Sequence, residues 1–124
     1  MSLVPENLKY TKDHEWANVD GALATIGVTD HAQRELGDIV FVELPKIGAR
    51  FEAGQSFGTI EAVKTVAELY SPVTGTIKEV NTALSADAGA INSDPYGTGW
   101  IIKMEMDNAA EASLISSEEY KTII

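Results

Sequence analysis

The sequence predicts a mainly β protein, a small sandwich or barrel with an N-terminal hairpin, a short helix and a C-terminal helix. Two observations carry this. Short β-forming runs recur between Gly- and Pro-marked turns, at a spacing that disfavours a parallel βαβ layout. A strand-rich pattern also occurs twice: Gly37, Ile39 and Val42 map onto Gly75, Ile77 and Val80 with one constant offset. The copies are joined through Gly58–Pro72, with Lys64 at its centre. Two such units predict a pseudo-symmetric sandwich displaying Lys64 at the junction, a place to attach something.

The elements follow in order. Glu15–Val19 and Ala22–Val28 flank Asp20-Gly21, a dipeptide suited to a type I′ turn, and form a hairpin expected to pack on the sandwich as an extension. Thr29–Leu36 starts with cap-type residues and is followed by Gly37, which predicts a helix of about two turns. Ile39–Leu44 reads as a buried strand closed by Pro45. Ile47-Gly48 and Ala53-Gly54 mark turns, and Phe57 leads into the lysine hairpin. Pro72 and Gly75 bound the return. A turn at Asp94–Gly97 precedes a strand at Trp100–Met104. Ser116 and Glu119 fit a capping box for a helix over 116–124, with Tyr120, Ile123 and Ile124 as its apolar face. Ile39, Phe41, Val42, Ile77, Val80 and Ile101 are the expected core. With no linker or low-complexity tract, residues 1–124 read as one domain, its core spanning about 10–106.

Composition narrows the function. Nine basic against nineteen acidic residues give a net charge of −10, which argues against nucleic acid or an anionic membrane as main partner. No apolar run approaches a membrane span. Cysteine is absent, so redox chemistry would need a cofactor. The first residues carry neither a signal region nor an amphipathic transit segment, which suits a cytoplasmic protein; a mature mitochondrial form would look the same.

Lys64 is the leading candidate. Most lysines are simply solvated. This one is central to the duplication, and from Ala49 to Ile77 only Arg50 is another basic residue. An amine on a rigid hairpin tip can be acylated, which removes its charge and leaves a long arm. Turn chemistry is missing here, because β-branched residues flank the lysine. The apex assignment rests on the repeat and on Gly58 and Pro72 at similar distances. His14 and His31 sit beside acids without the three or four ligands of a metal site. Gly97-Thr98-Gly99 lacks the context of a phosphate loop, and no nucleophile elbow accompanies the histidines, so no catalytic residue is assigned.

The run Ile60–Gly75 resembles the lipoylation segment of the glycine cleavage system H-protein family. So do His14-Glu15-Trp16, Ala24–Gln33, Gly37–Pro45 and Asp94–Trp100, and the resemblance spans about Tyr10 to Tyr120. Ala62 and Thr65 stand beside the lysine where other small residues are common; neither removes the amine. The resemblance implies a barrel-sandwich hybrid and a non-catalytic carrier with lipoate in amide linkage to Lys64, flanked by Glu61, Val63 and Thr65. It implies as partners a pyridoxal-phosphate glycine decarboxylase, a tetrahydrofolate-dependent aminomethyltransferase, a dihydrolipoamide dehydrogenase and lipoyl-attaching enzymes. The aminomethyl-loaded arm is then expected to park against Asp13, His14, Glu15 and Glu68.

Other readings compete. A lipoyl relay, or a lipoyl or biotinyl domain of another complex, would use the same amine. Biotin carriers surround it with methionines, unlike Val63 and Thr65, and 2-oxoacid dehydrogenase domains usually continue into linkers. A Schiff-base enzyme would need Lys64 desolvated in a pocket. An unmodified interaction module would need no amine at all.

Overall fold

Two antiparallel sheets share one hydrophobic core. The computed structural model describes residues 3–108 and 114–124, so Met1 and Ser2, at the head of the N-terminal stretch considered above, lie outside the described residues. The strands are β1 (Lys9–Tyr10), β2 (Glu15–Asp20), β3 (Leu23–Val28), β4 (Ile39–Glu43), β5 (Arg50–Phe51), β6 (Ser56–Ala62), β7 (Val66–Tyr70), β8 (Gly75–Val80) and β9 (Ile102–Met106). The larger sheet has the order β1-β2-β3-β9-β8-β5 and the smaller β4-β6-β7. Helix α1 (Asp30–Leu36) follows β3, the one-turn α2 (Ala90–Ser93) and a 3-10 turn (Thr82–Ser85) lie between β8 and β9, and α3 (Ser117–Ile123) ends the chain.

The duplication is real in three dimensions. Copy one supplies the antiparallel pair β4·β6 to the small sheet, and copy two supplies β8·β9 to the large one. Ile39 opposes Ala62 as Ile77 opposes Met104, and Val42 opposes Ile60 as Val80 opposes Ile102. Both pairs are irregular at the matching place, between Ile39 and Phe41 and between Ile77 and Glu79. Such an interruption leaves a residue outside the ladder and changes which side chains face outward. Val40 and Phe41 are consequently both exposed, so Phe41 is not the core residue its sequence pattern predicts, and Ile39–Leu44 is only alternately buried. Val80 is only partly buried; Ile39, Val42, Ile77 and Ile101 are core.

The hairpin is a full member of the large sheet rather than an extension, because β3 pairs with β9. Its loop lies one residue later than expected. Asp20 pairs with Leu23, so Gly21 and Ala22 make the turn, and only Gly21 (φ +62°) takes a positive φ. A II′ turn asks for that at its first central position alone, whereas I′ asks for two. The strand expected at Trp100–Met104 forms two residues later. Trp100 is held instead by Asn81, whose amide donates to the carbonyls of Thr98 and Trp100 at 2.9 and 2.7 Å.

Helix ends match their chemistry. Thr29 Oγ1 accepts from the Ala32 N–H at 3.1 Å, and Gly37 (φ +78°) ends α1. Ser116 Oγ accepts from the Glu119 N–H at 3.2 Å. Of the apolar residues predicted on α3, Tyr120 is the buried one, in a second cluster with Leu8, Tyr10 and Trp16; Ile123 and Ile124 stay 46% and 40% exposed. Ile123 lines only an open surface groove with Ile115 and Lys12.

Truncating Ile77 to Ala should cost about 2–5 kcal/mol, and truncating the half-exposed Phe41 less than about 1 kcal/mol. Urea denaturation of both variants measures this, and equal losses would put Phe41 back in the core.

Candidate functional site

The site begins at the tip of β6 and β7. The Ala62 N–H donates to the Thr65 carbonyl at 2.8 Å, and the Val63 N–H donates to the Asp38 carbonyl at 2.9 Å. Pairing of β6 with the start of β4 therefore imposes the reversal that Val63-Lys64-Thr65 does not encode locally. Lys64 stands exposed at the apex and, among the described residues, makes no hydrogen bond or ion pair through its amine. Its stem leans over Gly37: a Cβ there would lie 3.4 Å from Lys64 Cε. Val63 is 75% exposed and Thr65 is also exposed. Glu61 points away from the core in the cross-strand row Phe41–Glu61–Val66.

Beside this corner runs a cleft of about 160 Å³ between α1, the entry to β2, and β7. Its apolar lining includes Val28, Leu36, Ile60 and Leu69, and its polar lining includes Asp13, His14, Glu15, Glu35 and Glu68. Asp13, His14, Glu15 and Glu68, picked from two segments distant in sequence, therefore meet on one cavity. Glu61, Val63 and Thr65 do not line it; they surround the apex. In a regular strand, neighbouring side chains point to opposite faces. His14 breaks that alternation with φ +66°, the one positive φ outside glycine among the described residues. The kink lets three consecutive side chains, 13 to 15, line one cleft.

Glu15 is 2% exposed. Thr11 Oγ1 donates to its Oε1 at 2.8 Å and the Tyr70 N–H to its Oε2 at 3.2 Å. These bonds favour the carboxylate, but burial outweighs them and pushes the pKa up to about 8. No cation pairs with it among the described residues. Glu68, exposed on β7, accepts from the Tyr70 hydroxyl at 3.1 Å. His14 Nδ1 lies 2.8 Å from the Tyr120 hydroxyl, and its ring centroid is 4.7 Å from that of His31. Burial, then His31, pulls the His14 pKa below its ordinary value. His31 Nε2 is 3.6 Å from Glu35.

Sequence reasoning missed Thr11 and Tyr70, the two donors to Glu15, and the α1 wall. Tyr70 carried a faint signal, two residues beyond Glu68 on one strand face. Among the described residues no three His, Asp or Glu side chains converge as a metal site requires, and no helix is long and apolar enough to cross a membrane.

The arrangement can display an amine for acylation and offer a sheltered, acid-lined berth beside it. Comparisons with known proteins identify the family. The family model described as glycine cleavage H-protein matches residues 8–124. Glycine cleavage system H proteins of Chlorobaculum parvum and Rubrobacter xylanophilus are 57% and 52% identical, covering 98% and 97% of this chain and 97% and 94% of those proteins. The crystal structure of a glycine cleavage system H protein from Mycobacterium marinum superposes with a TM-score of 0.89 at 39% identity, covering 96% of this chain and 97% of that one. The chain belongs to the glycine cleavage H-protein family, the non-catalytic lipoyl carriers of the glycine cleavage system.

Proposed function

We propose that Lys64 carries lipoate in amide linkage and that the arm, loaded with an aminomethyl cargo, docks in the cleft lined by Asp13, His14, Glu15 and Glu68. The observation that carries this is the convergence of Glu15 and Glu68 on a cavity beside the lysine hairpin. Lys64 suits the attachment because its amine is exposed, unpaired among the described residues and set on a hairpin braced by Asp38. Its stem passes over Gly37 at the end of α1. When bound, lipoate supplies a strained disulfide that accepts a one-carbon unit and two electrons.

The chain's own residues do the sheltering. Val28, Ile60 and Leu69 keep water from the cleft floor. Glu15, held protonated at neutral pH by burial, releases its proton to solvent as a cationic amine docks, because the cation restores the balance that burial removed. Asp13 and Glu68 add negative charge at the rim. Glycine decarboxylase, the aminomethyltransferase, dihydrolipoamide dehydrogenase and the lipoyl-attaching enzymes are the partners this reading requires. Residues 1–124 then act as one carrier domain, and in bacteria, the source of these relatives, its compartment is the cytoplasm.

Expression with lipoate should add one lipoyl increment, mapped by tryptic mass spectrometry to Lys64 and absent from Lys64→Arg. Lipoate on Lys9, Lys12 or Lys78 instead would sink the assignment. Lys64→Ala should melt close to the parent protein, since the side chain is exposed, yet support no glycine decarboxylation.

Glu15→Ala and Glu68→Ala should still be lipoylated, but should release ammonia faster from the loaded form without the folate-dependent enzyme. Unchanged release in both would remove the docking site.

Glu15 also sets a pH dependence. Its pKa rises from 4.5 to about 8 on folding, so between those values the folded chain holds the extra proton. That contribution is complete below about pH 4.5 and lost as pH climbs through about 8. Glu15→Gln should therefore gain stability relative to the parent across this window, by roughly 2–5 kcal/mol. Urea titrations at several pH values measure the difference, and a flat difference would mean Glu15 is ionised throughout.

A further inference from the structure

Tyr120 lies outside the cleft yet contacts one of its walls. Its side chain is fully buried and stacks on Tyr10, with ring centroids 4.7 Å apart and planes 9° from parallel. Its hydroxyl is 2.7 Å from Thr29 Oγ1 and 2.8 Å from His14 Nδ1. Thr29, also fully buried, already accepts the Ala32 N–H through the same oxygen.

The direction of this chain follows from counting protons. Among the described residues, the Thr29 hydroxyl proton has one acceptor in reach, the Tyr120 oxygen. If Thr29 donates there, the Tyr120 proton points to His14 Nδ1, and every hydroxyl is satisfied. The reverse order, from His14 through Tyr120 to Thr29, strands the Thr29 proton in the interior, and buried donors left unpaired lose their full solvation. The chain therefore runs Thr29 to Tyr120 to His14. It requires a bare Nδ1, which places the His14 proton on Nε2 and leaves the ring neutral.

We propose that Tyr120 is a positioning residue of the cleft, its hydroxyl locking His14 as the neutral Nε2–H tautomer in a left-handed turn, so that this wall presents no cation to a cationic cargo. The functional half of this rests on the docking reading above; the lock itself does not. The groups around His14 pull both ways. Asp13 on its own segment and Glu35 on α1 favour an imidazolium, while burial and then His31 on α1 oppose it. Glu15, held protonated by burial, and Glu68 on β7 line the same cleft. Tyr120 from α3 adds a donor that only a neutral Nδ1 can accept. Without that donor the balance moves toward the charged ring, which repels an amine cargo.

The unlipoylated protein tests the lock directly. Nitrogen-15 NMR of the parent should show His14 with Nε2 protonated and Nδ1 bare. In Tyr120→Phe, which keeps the ring stack, the His14 pKa should rise by about half to one pH unit, a three- to tenfold change in its acid constant. An Nδ1–H tautomer in the parent, or an unmoved titration in the variant, overturns the proposal. The parent measurement decides even if the variant folds poorly. In the loaded protein, Tyr120→Phe should speed ammonia release severalfold below the raised His14 pKa and little above it. An equal effect at every pH would mark a merely structural loss and overturn the positioning role. If Glu15→Ala and Glu68→Ala leave release unchanged while His14 titrates as expected, the docking reading fails and the lock stands.

Discussion

The pairing of β6 with the first residues of β4 is the constraint on which the site depends. Val63, Lys64 and Thr65 favour extended chain, and left alone they would continue a strand. The Val63 N–H bonded to the Asp38 carbonyl, with Ile39 opposite Ala62, leaves β6 no partner to run on beside. The chain reverses, and β7 returns along the other side of β6. Asp38 directly follows Gly37, where α1 ends with the positive φ that glycine tolerates best. One corner thus fixes the lysine apex, the end of α1 and the mouth of the cleft, and the Lys64 amine sits on tertiary pairing rather than on a local turn motif.

The duplication explains why so much of this was legible. Two copies of one pairing scheme, interrupted at matching positions, flank the β6–β7 hairpin that carries Lys64, and the offset from Gly37 to Gly75 was visible without coordinates. What the pattern hid was the interruption itself. An apolar run such as Ile39–Leu44 gives no sign that pairing slips after Ile39, turning Phe41 outward. In copy two the corresponding residues are Lys78 and Glu79, which pair with Glu105 and Lys103 at 3.7 and 3.5 Å. Their polarity announces exposure; the valine and phenylalanine of copy one do not.

Within the site, acids were legible and their supports were not. Glu15 and Glu68 stood out through a family resemblance. Thr11, Tyr70 and Tyr120 act through contacts no local pattern encodes: Tyr120 meets His14 across 106 residues of sequence, and Tyr70 meets Glu15 across 55. The C-terminal helix was read correctly from its cap, yet its periodicity gave Ile123 and Ile124 the same weight as Tyr120. The structure separates them by a hydroxyl that has partners to find in the interior.

The two consecutive residues His14 and Glu15 break local rules together. One holds a backbone conformation that L-residues avoid, and the other is a buried carboxyl with no cation beside it among the described residues. Elsewhere the interior is free of such conflict, with no buried side-chain nitrogen or oxygen lacking a partner among the described residues. Sequences that fold well keep their local and global preferences aligned, and departures gather where a binding event relieves them. Here the relief has a definite sign. An anion entering the cleft would add to the charge of Asp13, Glu35 and Glu68, and a neutral group would leave Glu15 protonated and its burial uncompensated. A cation alone ionises Glu15 and turns the bonds from Thr11 and Tyr70 into charge-assisted ones. The unfavourable features of the cleft therefore fit the cationic cargo proposed for it.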